Sequence, residues 1–195
     1  MEASATGDRE RWDARYAKRG AVAREHTSFL EFAAAELPPR GRVLDLAGGD
    51  GRNALWFAAR GLEVTICDVS PTGLAHAAQL AHEAGLSTTT LVRDLARDGL
   101  PEGPWDVVFS FHYLQRDLFP RFAEVLAPGG LLLFCQPTVC NLERHPHPSA
   151  RFLLGEGELA GLVPSALEVL SLEEGWLEEG RHEARLVARR ANRGD

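Results

Sequence analysis

The chain has 195 residues, 45% hydrophobic and 25% charged, a balance that supports one globular core and excludes a fibrous or low-complexity protein. A formal net charge of −7 argues against a nucleic-acid partner, because phosphate neutralisation needs a basic surface, and favours small-molecule chemistry. No apolar run approaches the ~20 residues that cross a bilayer, Met1 to Arg24 lacks the apolar segment of a signal peptide, and the three cysteines show no CxxC pairing. The expectation is a cytoplasmic protein with no membrane partner, a monomer by default with a homodimer as the alternative.

Residues 1–8 are small and polar and are expected to be disordered, ahead of a single domain over 9–189. Trp12 and Tyr16 stand four apart and share one face of a predicted helix over 9–20, which Gly20 ends. Apolar spacing predicts another helix from Thr27 to Leu37, stopped by Pro38-Pro39. Strand one, Arg42 to Leu46, runs into the cluster Ala47-Gly48-Gly49-Asp50-Gly51 and then a helix to about Arg60. Glu63 to Cys67 reads as a buried strand with Asp68 and Val69 at its end, and Ser70 caps a helix that begins at Pro71. Thr88 to Val92 is a third strand, followed by Asp94 and Leu95; Trp105 to Phe111 is a fourth, followed by His112 and Tyr113. A helix from Arg121 to Leu126 and a Pro128-Gly129-Gly130 turn lead into strand five, and a His- and Pro-rich stretch with a short helix fills 138–160. Leu167 to Glu174 and Glu183 to Arg189 alternate apolar and polar residues, as an antiparallel hairpin does, and 190–195 frays.

The glycine cluster carries the first chemical signal. Gly49-x-Gly51-x-x-Ala54 meets the loose dinucleotide pattern, yet Asp45 and Asp50 would repel a pyrophosphate. They suit a ligand with an amino group, a sulfonium and ribose hydroxyls, which S-adenosylmethionine has. An ordinary turn with no ligand is the plainer alternative. Asp68 stands at the end of strand two, where a carboxylate can accept hydrogen bonds from both ribose hydroxyls.

Asp45-x-Ala47-x-Gly49-x-Gly51 resembles motif I of class I S-adenosylmethionine-dependent methyltransferases, with Ala47 at the position of the family's first glycine. The resemblance implies a Rossmann-like three-layer α/β sandwich whose seven-stranded, mostly parallel sheet has the order 3-2-1-4-5-7-6 and an antiparallel last strand. It further implies that Asp45, Ala47, Gly48, Gly49 and Gly51 hold the methionine portion, Asp68 and Val69 the ribose, and Asp94 and Leu95 the adenine. Ser110 and Phe111 then end the strand that faces the transferring methyl. The extra methyl of Ala47 narrows that loop or occupies a residue that prefers positive φ.

Two more stretches carry likeness to the family. Trp12-Asp13-x-Arg15-Tyr16-Ala17 resembles the cap helix of small-molecule methyltransferases, which makes Trp12, Arg15 and Tyr16 candidates for the acceptor pocket. Tyr113-Leu114-x-Arg116-x-Leu118-Phe119-Pro120 resembles the small tellurite-resistance-type subgroup, which adds Arg116 to that pocket and makes 138–160 an active-site lid. His112 takes a proton near neutral pH and is the candidate base, with Tyr113 beside it as a second catalytic candidate; a substrate contact or a packing and capping role is the alternative for His112. Cys140, His145 and His147 lack a fourth ligand and Pro146 and Pro148 stiffen their loop, so no metal is expected. The reading is methyl transfer to a small molecule. A cofactor-binding domain without transfer, motivated by Ala47, and a nicotinamide-dependent oxidoreductase, disfavoured by Asp50 and the terminal hairpin, are the rivals.

Overall fold

In the computed structural model, which describes residues 5–192, seven strands form one sheet in the order β3-β2-β1-β4-β5-β7-β6. Contacts divide the chain into two compact units, Met1–Pro101 and Glu102–Asp195.

The first unit opens with α1 (Ala5–Arg19). The helix begins earlier than the sequence suggests: residues 5–8, expected to be disordered, are helical, and only 1–4 of that stretch lie outside the described residues. Asp8 in the first turn pairs with Arg11 at 3.0 Å and complements the helix N-terminus. The second predicted helix is shorter than its apolar spacing, with α2 at Phe29–Ala33 and a 3₁₀ turn at Ala34–Glu36 before the prolines. β1 (Arg42–Leu46) pairs in parallel with β2 (Glu63–Asp68), and β2 with β3 (Thr88–Val92). Between them lie α3 (Ala54–Ala58) and α4 (Pro71–Glu83), the latter capped by Ser70, whose Oγ accepts from the Gly73 N–H at 3.0 Å. The register sets Asp45 opposite Ile66 and Leu46 opposite Cys67, which brings the carboxyl ends of β1 and β2 side by side. Phe29, Leu30, Leu44, Leu46, Phe57 and Ile66 are fully buried beneath those ends. The unit closes with the single turn α5 (Leu95–Asp98).

In the second unit β4 (Trp105–Phe111) pairs in parallel with β5 (Leu126–Pro137), which pairs antiparallel with β7 (His182–Arg190), and β7 with β6 (Leu167–Trp176). β5 starts at Leu126, ahead of the predicted turn: Trp105 pairs with Leu126 and Val107 with Leu131, so the Pro-Gly-Gly segment bulges out within the strand. The helix predicted from Arg121 is only α6 (Phe122–Val125), preceded by a 3₁₀ turn at Arg116–Arg121 that contains Pro120, which has no N–H to give a regular helix. Phe119 packs edge-on against Phe122 and Phe134, with centroids 5.4 and 5.0 Å apart, and anchors this turn in the core. The stretch 138–160 holds 3₁₀ turns at Val139–Glu143 and Ala150–Phe152 and the start of α7 (Glu158–Leu162). Arg190, expected to fray, ends β7, and of the tail 193–195 lie outside the described residues. No helix among the described residues is long and apolar enough to cross a membrane.

Candidate active site

The glycine cluster leaves β1 through three unusual backbone conformations in close succession. Ala47 has φ 54°, Gly49 58° and Gly51 77°, so the chain turns through the left-handed region three times in five residues. A side chain at Gly48 would run into the Asp45 carboxylate, and one at Gly49 would collide with the Tyr16 hydroxyl. A Cβ at Gly51 would stand 2.9 Å from that of Ala77 on α4. The cradle therefore needs its glycines for space as well as for φ. Ala47 is the exception: its methyl occupies a conformation that costs an L-residue about 1 kcal/mol.

Three carboxylates surround this turn, and their surroundings differ. Asp45 is 3% exposed, and burial, reinforced by the nearby Asp68, holds its carboxyl well above the usual range despite the opposing charge of Arg52. Asp68 is pushed up to about 6 by burial, although it accepts the N–H groups of Ser70 and Gly49, each at 2.8 Å. Asp50, the residue that argued against a phosphate ligand, is already paired: Arg24 reaches one oxygen at 2.6 Å and Arg19 stands 3.4 Å from the other. That second oxygen is buried and has no hydrogen-bond partner, since the Arg19 contact lacks hydrogen-bond geometry. The site's unmet demand for positive charge thus rests on Asp45 and Asp68. A cation carried by a ligand would favour their ionised forms, and S-adenosylmethionine carries two, an ammonium and a sulfonium. The glycine cradle and the pair of buried carboxylates fit that group.

Tyr16 is 7% exposed and touches the glycine loop, with its ring 2.8 Å from a Cβ built at Gly73 and its hydroxyl against Gly49. Burial and the charges of Asp68 and Asp50 raise its phenol well above the ordinary value, so it stays a neutral donor. Trp12 stacks on it at 5.9 Å, and the Arg15 guanidinium lies 5.0 Å over the Trp12 ring. Of the three residues of this helix assigned to an acceptor pocket, Tyr16 meets the cofactor loop itself. Asp13, which sequence reasoning did not single out, anchors this helix: it accepts from Ser70 Oγ at 2.5 Å and from the Thr72 N–H at 3.1 Å, and the backbone N–H of the same Ser70 goes to Asp68. Its position between Trp12 and Arg15 on the cap helix was the available signal.

Val69 is half-buried after Asp68. Asp94 is the N-cap of α5, its Oδ1 accepting from Ala96 at 3.1 Å and Arg97 at 3.4 Å, and Leu95 is buried behind it. Those bonds occupy one Asp94 oxygen and fix the carboxylate at the end of β3.

In the second unit Ser110 is buried and gives its hydroxyl to the Tyr113 carbonyl at 3.1 Å, while Phe111 packs on Phe109 at 5.1 Å. His112 leaves β4 with φ 63°. Its N–H donates to the Cys135 carbonyl at 2.9 Å, and its Nε2 lies 2.9 Å from Oε1 of Glu183, a carboxylate only 1% exposed. Arg181 and Arg185 approach the two Glu183 oxygens, each at 3.5 Å. Glu183 was missed because it lies in a strand with ordinary alternation; its partner is 71 residues away.

Arg116 forms a two-pronged pair with Glu158 at 2.5 and 2.7 Å and reaches the Leu153 carbonyl at 3.1 Å. Its charge is therefore engaged with the 138–160 segment. That segment is fastened elsewhere too, by Gln136 to the Phe152 carbonyl at 2.5 Å, Thr138 to His182 at 2.8 Å and His145 to the Gly180 carbonyl at 2.8 Å. His145 is thus engaged away from Cys140. The donor atoms that do converge, within 4.8 Å of one another, belong to His112, Cys135 and Glu183.

A family model described as a methyltransferase domain matches residues 43–130. The chain is 32% identical to a trans-aconitate 2-methyltransferase of Methylobacterium nodulans over 179 residues, 85% of this chain and 67% of that protein. It is 33% identical over 112 residues to an Escherichia coli tRNA 5-carboxymethoxyuridine methyltransferase, a match that takes 53% of this chain and spans only 43% of that relative. Among solved structures it is similar to TehB from Haemophilus influenzae, with a TM-score of 0.69 at 23% identity over 92% of this chain and 67% of that one. It is also similar to the [4+2]-cyclase SpnF, with a TM-score of 0.75 at 16% identity over 96% of both chains. At those identities the two structures show the shared fold.

Proposed function

Because the chain belongs to the class I S-adenosylmethionine-dependent methyltransferases, with S-adenosylmethionine as their cofactor, we propose that it transfers a methyl group to a small-molecule acceptor. The observation that carries this reading is the glycine cradle at the end of β1, closed by Tyr16 and flanked by two buried carboxylates, Asp45 and Asp68, that burial holds above the usual range. When bound, the cofactor supplies a methyl carbon already activated by its sulfonium.

The chain's own residues then bind, align and dry the reactants. Asp45 and the backbone of Gly48 to Gly51 hold the amino acid portion, and Asp68, set by Gly49 and Ser70, takes the ribose hydroxyls. Asp94, capping α5, and Leu95 border the adenine. Trp12 and Arg15 in the first unit, and Tyr113 and Arg116 in the second, are the acceptor-contacting candidates, and the 138–160 segment, tied down by the Arg116–Glu158 pair, serves as the lid that excludes water. His112 receives the proton of an acceptor that must lose one.

A small acceptor is supported by the net charge of −7 and by a relative named for trans-aconitate; a different relative is named for a tRNA nucleoside. Calorimetry with S-adenosylmethionine, S-adenosylhomocysteine and NADH, followed by methyl transfer from labelled cofactor to a panel of small hydroxyls, amines, thiols, carboxylates and bulk tRNA, tests the reading. Binding of both sulfur compounds and labelling of a small acceptor support it. Labelling of tRNA alone, or binding with no transfer to any arm, overturns it.

A further inference from the structure

The group around His112 has more order than a simple base needs. β4, β5 and β7 are in register such that Phe111 faces Cys135 and Cys135 faces Arg185. Glu183 lies two residues from Arg185 on β7 and so presents its side chain to the same face of the sheet. His112, one residue beyond Phe111, turns into the left-handed region with φ 63°, a conformation that costs a histidine about 1 kcal/mol, and its ring meets that carboxylate. Strain held in place by a buried, charged contact marks a side chain whose direction matters.

We infer that Glu183 is the positioning residue of the transfer step: it accepts the Nε2 proton of His112, which leaves the lone pair on Nδ1 to take the acceptor's proton. The acceptor is then one whose reacting atom bears a dissociable proton, a hydroxyl, amine or thiol. This rests on the methyl-transfer reading above and adds the acceptor class and a residue to it.

The argument for the tautomer is one of hydrogen-bond inventory. Burial alone pushes the Glu183 carboxyl up, but the hydrogen bond from His112 and the charges facing it bring it below the usual range, and of those charges Arg181 and Arg185 persist when the imidazole is neutral. An ionised carboxylate only accepts, so the contact of 2.9 Å requires a proton on Nε2. A neutral imidazole has one N–H, and its lone pair is then on Nδ1. In the step itself the acceptor's lone pair forms the new bond to the methyl carbon while the carbon–sulfur bond breaks and its electron pair stays on sulfur. The acceptor's proton passes to Nδ1, and the imidazolium that results keeps its Nε2–H on Glu183.

The charged and titratable groups facing this pair are Cys135 on β5, Arg181 before β7, and Arg185 on β7, which also stands 3.6 Å from Glu179. Because His112, Cys135 and Glu183 converge within 4.8 Å, a divalent cation is the competing occupant. Two guanidiniums at 3.5 Å from the Glu183 oxygens already supply the positive charge that such an ion would bring, which favours the hydrogen bond.

Long-range proton–nitrogen NMR of the selectively labelled wild-type protein above neutral pH reads the tautomer without acceptor, cofactor or variant. Nε2–H on His112 supports the inference, and Nδ1–H overturns it whether or not transfer has been found. With the best acceptor from the panel, Glu183→Gln should lower kcat about tenfold or more, up to but not beyond the roughly 10²- to 10⁴-fold that a general base supplies, and leave KM for the cofactor unchanged. Adding Glu183→Gln to His112→Ala should cost nothing further, because the carboxylate acts through the ring. Full additivity of the two losses, a rise confined to KM, or transfer abolished by chelation of the wild type and restored by zinc would each overturn it. Absence of transfer by the wild type to every acceptor would overturn the proposed function instead, leaving the tautomer to be decided by the spectrum.

Discussion

Two strands of this sheet end in the same way with different consequences. β1 runs into Ala47 and β4 into His112, and these are the non-glycine residues with positive φ among those described. Ala47 adds a methyl where nothing polar can hold it, inside a loop whose other turns are made by glycine. His112 spends similar strain to aim a ring at a buried carboxylate. The first is strain tolerated by a loop that must bind; the second is strain tied to a contact. A left-handed residue therefore says little until its side chain's partner is known.

The largest way to test that contrast is to fill the cradle. Gly49→Val should reduce cofactor affinity by about a hundredfold or more in calorimetry, because a branched residue at φ 58° both strains the turn and collides with Tyr16. Retained affinity would mean that the cofactor is held elsewhere. His112→Ala should lower kcat on the order of 10²-fold with cofactor affinity unchanged, and equal turnover with a proton-bearing acceptor would remove it from the catalytic step. A pH titration sharpens the electrostatic side. The Asp68 carboxyl, held up to about 6, is mostly neutral in the free protein below that pH, while a cationic ligand prefers the ionised form. Affinity for S-adenosylmethionine should then be flat above neutrality and fall several-fold as pH drops through about 6, measured by calorimetry. Stability runs the other way for this group: its folded value lies above the unfolded one near ~4, so its contribution is greatest in acid and is lost as pH rises to about 6. The smallest effect is Ala47→Gly, which should relieve about 1 kcal/mol of strain, less the added freedom of the unfolded chain, and raise Tm by no more than about 2–4 °C. No gain in either Tm or cofactor affinity would show that the methyl costs nothing.

Much of this arrangement could be read in advance. The strands, the glycine turn and Ser70's cap depend on local patterns, namely apolar runs, glycine clusters and a hydroxyl ahead of a proline, whereas the order of the strands came from the family resemblance. Helix lengths were read too generously, because apolar spacing over 27–37 and 121–126 does not report the prolines' effect on the turns beside them. Asp50 was legible as a charge near the ligand but not as one already met by Arg19, the last residue of α1, and Arg24, in the segment after it. Asp94 was assigned to the adenine by resemblance, and the short turn after β3 also gives it a cap to make. Tyr16 was placed on the right helix face, yet its contact with Gly49 needed that helix to be docked.

From the amino acids alone follow the class of fold, the glycine cradle and the preference for a cationic sulfur cofactor over a phosphate, since each is written in neighbouring residues. Tertiary structure alone decided which carboxylates remain uncompensated and that Glu183 meets His112. Charge compensation and tautomer choice are set by groups brought together across strands, and a distance of 2.9 Å between residues 71 apart leaves no trace in local sequence.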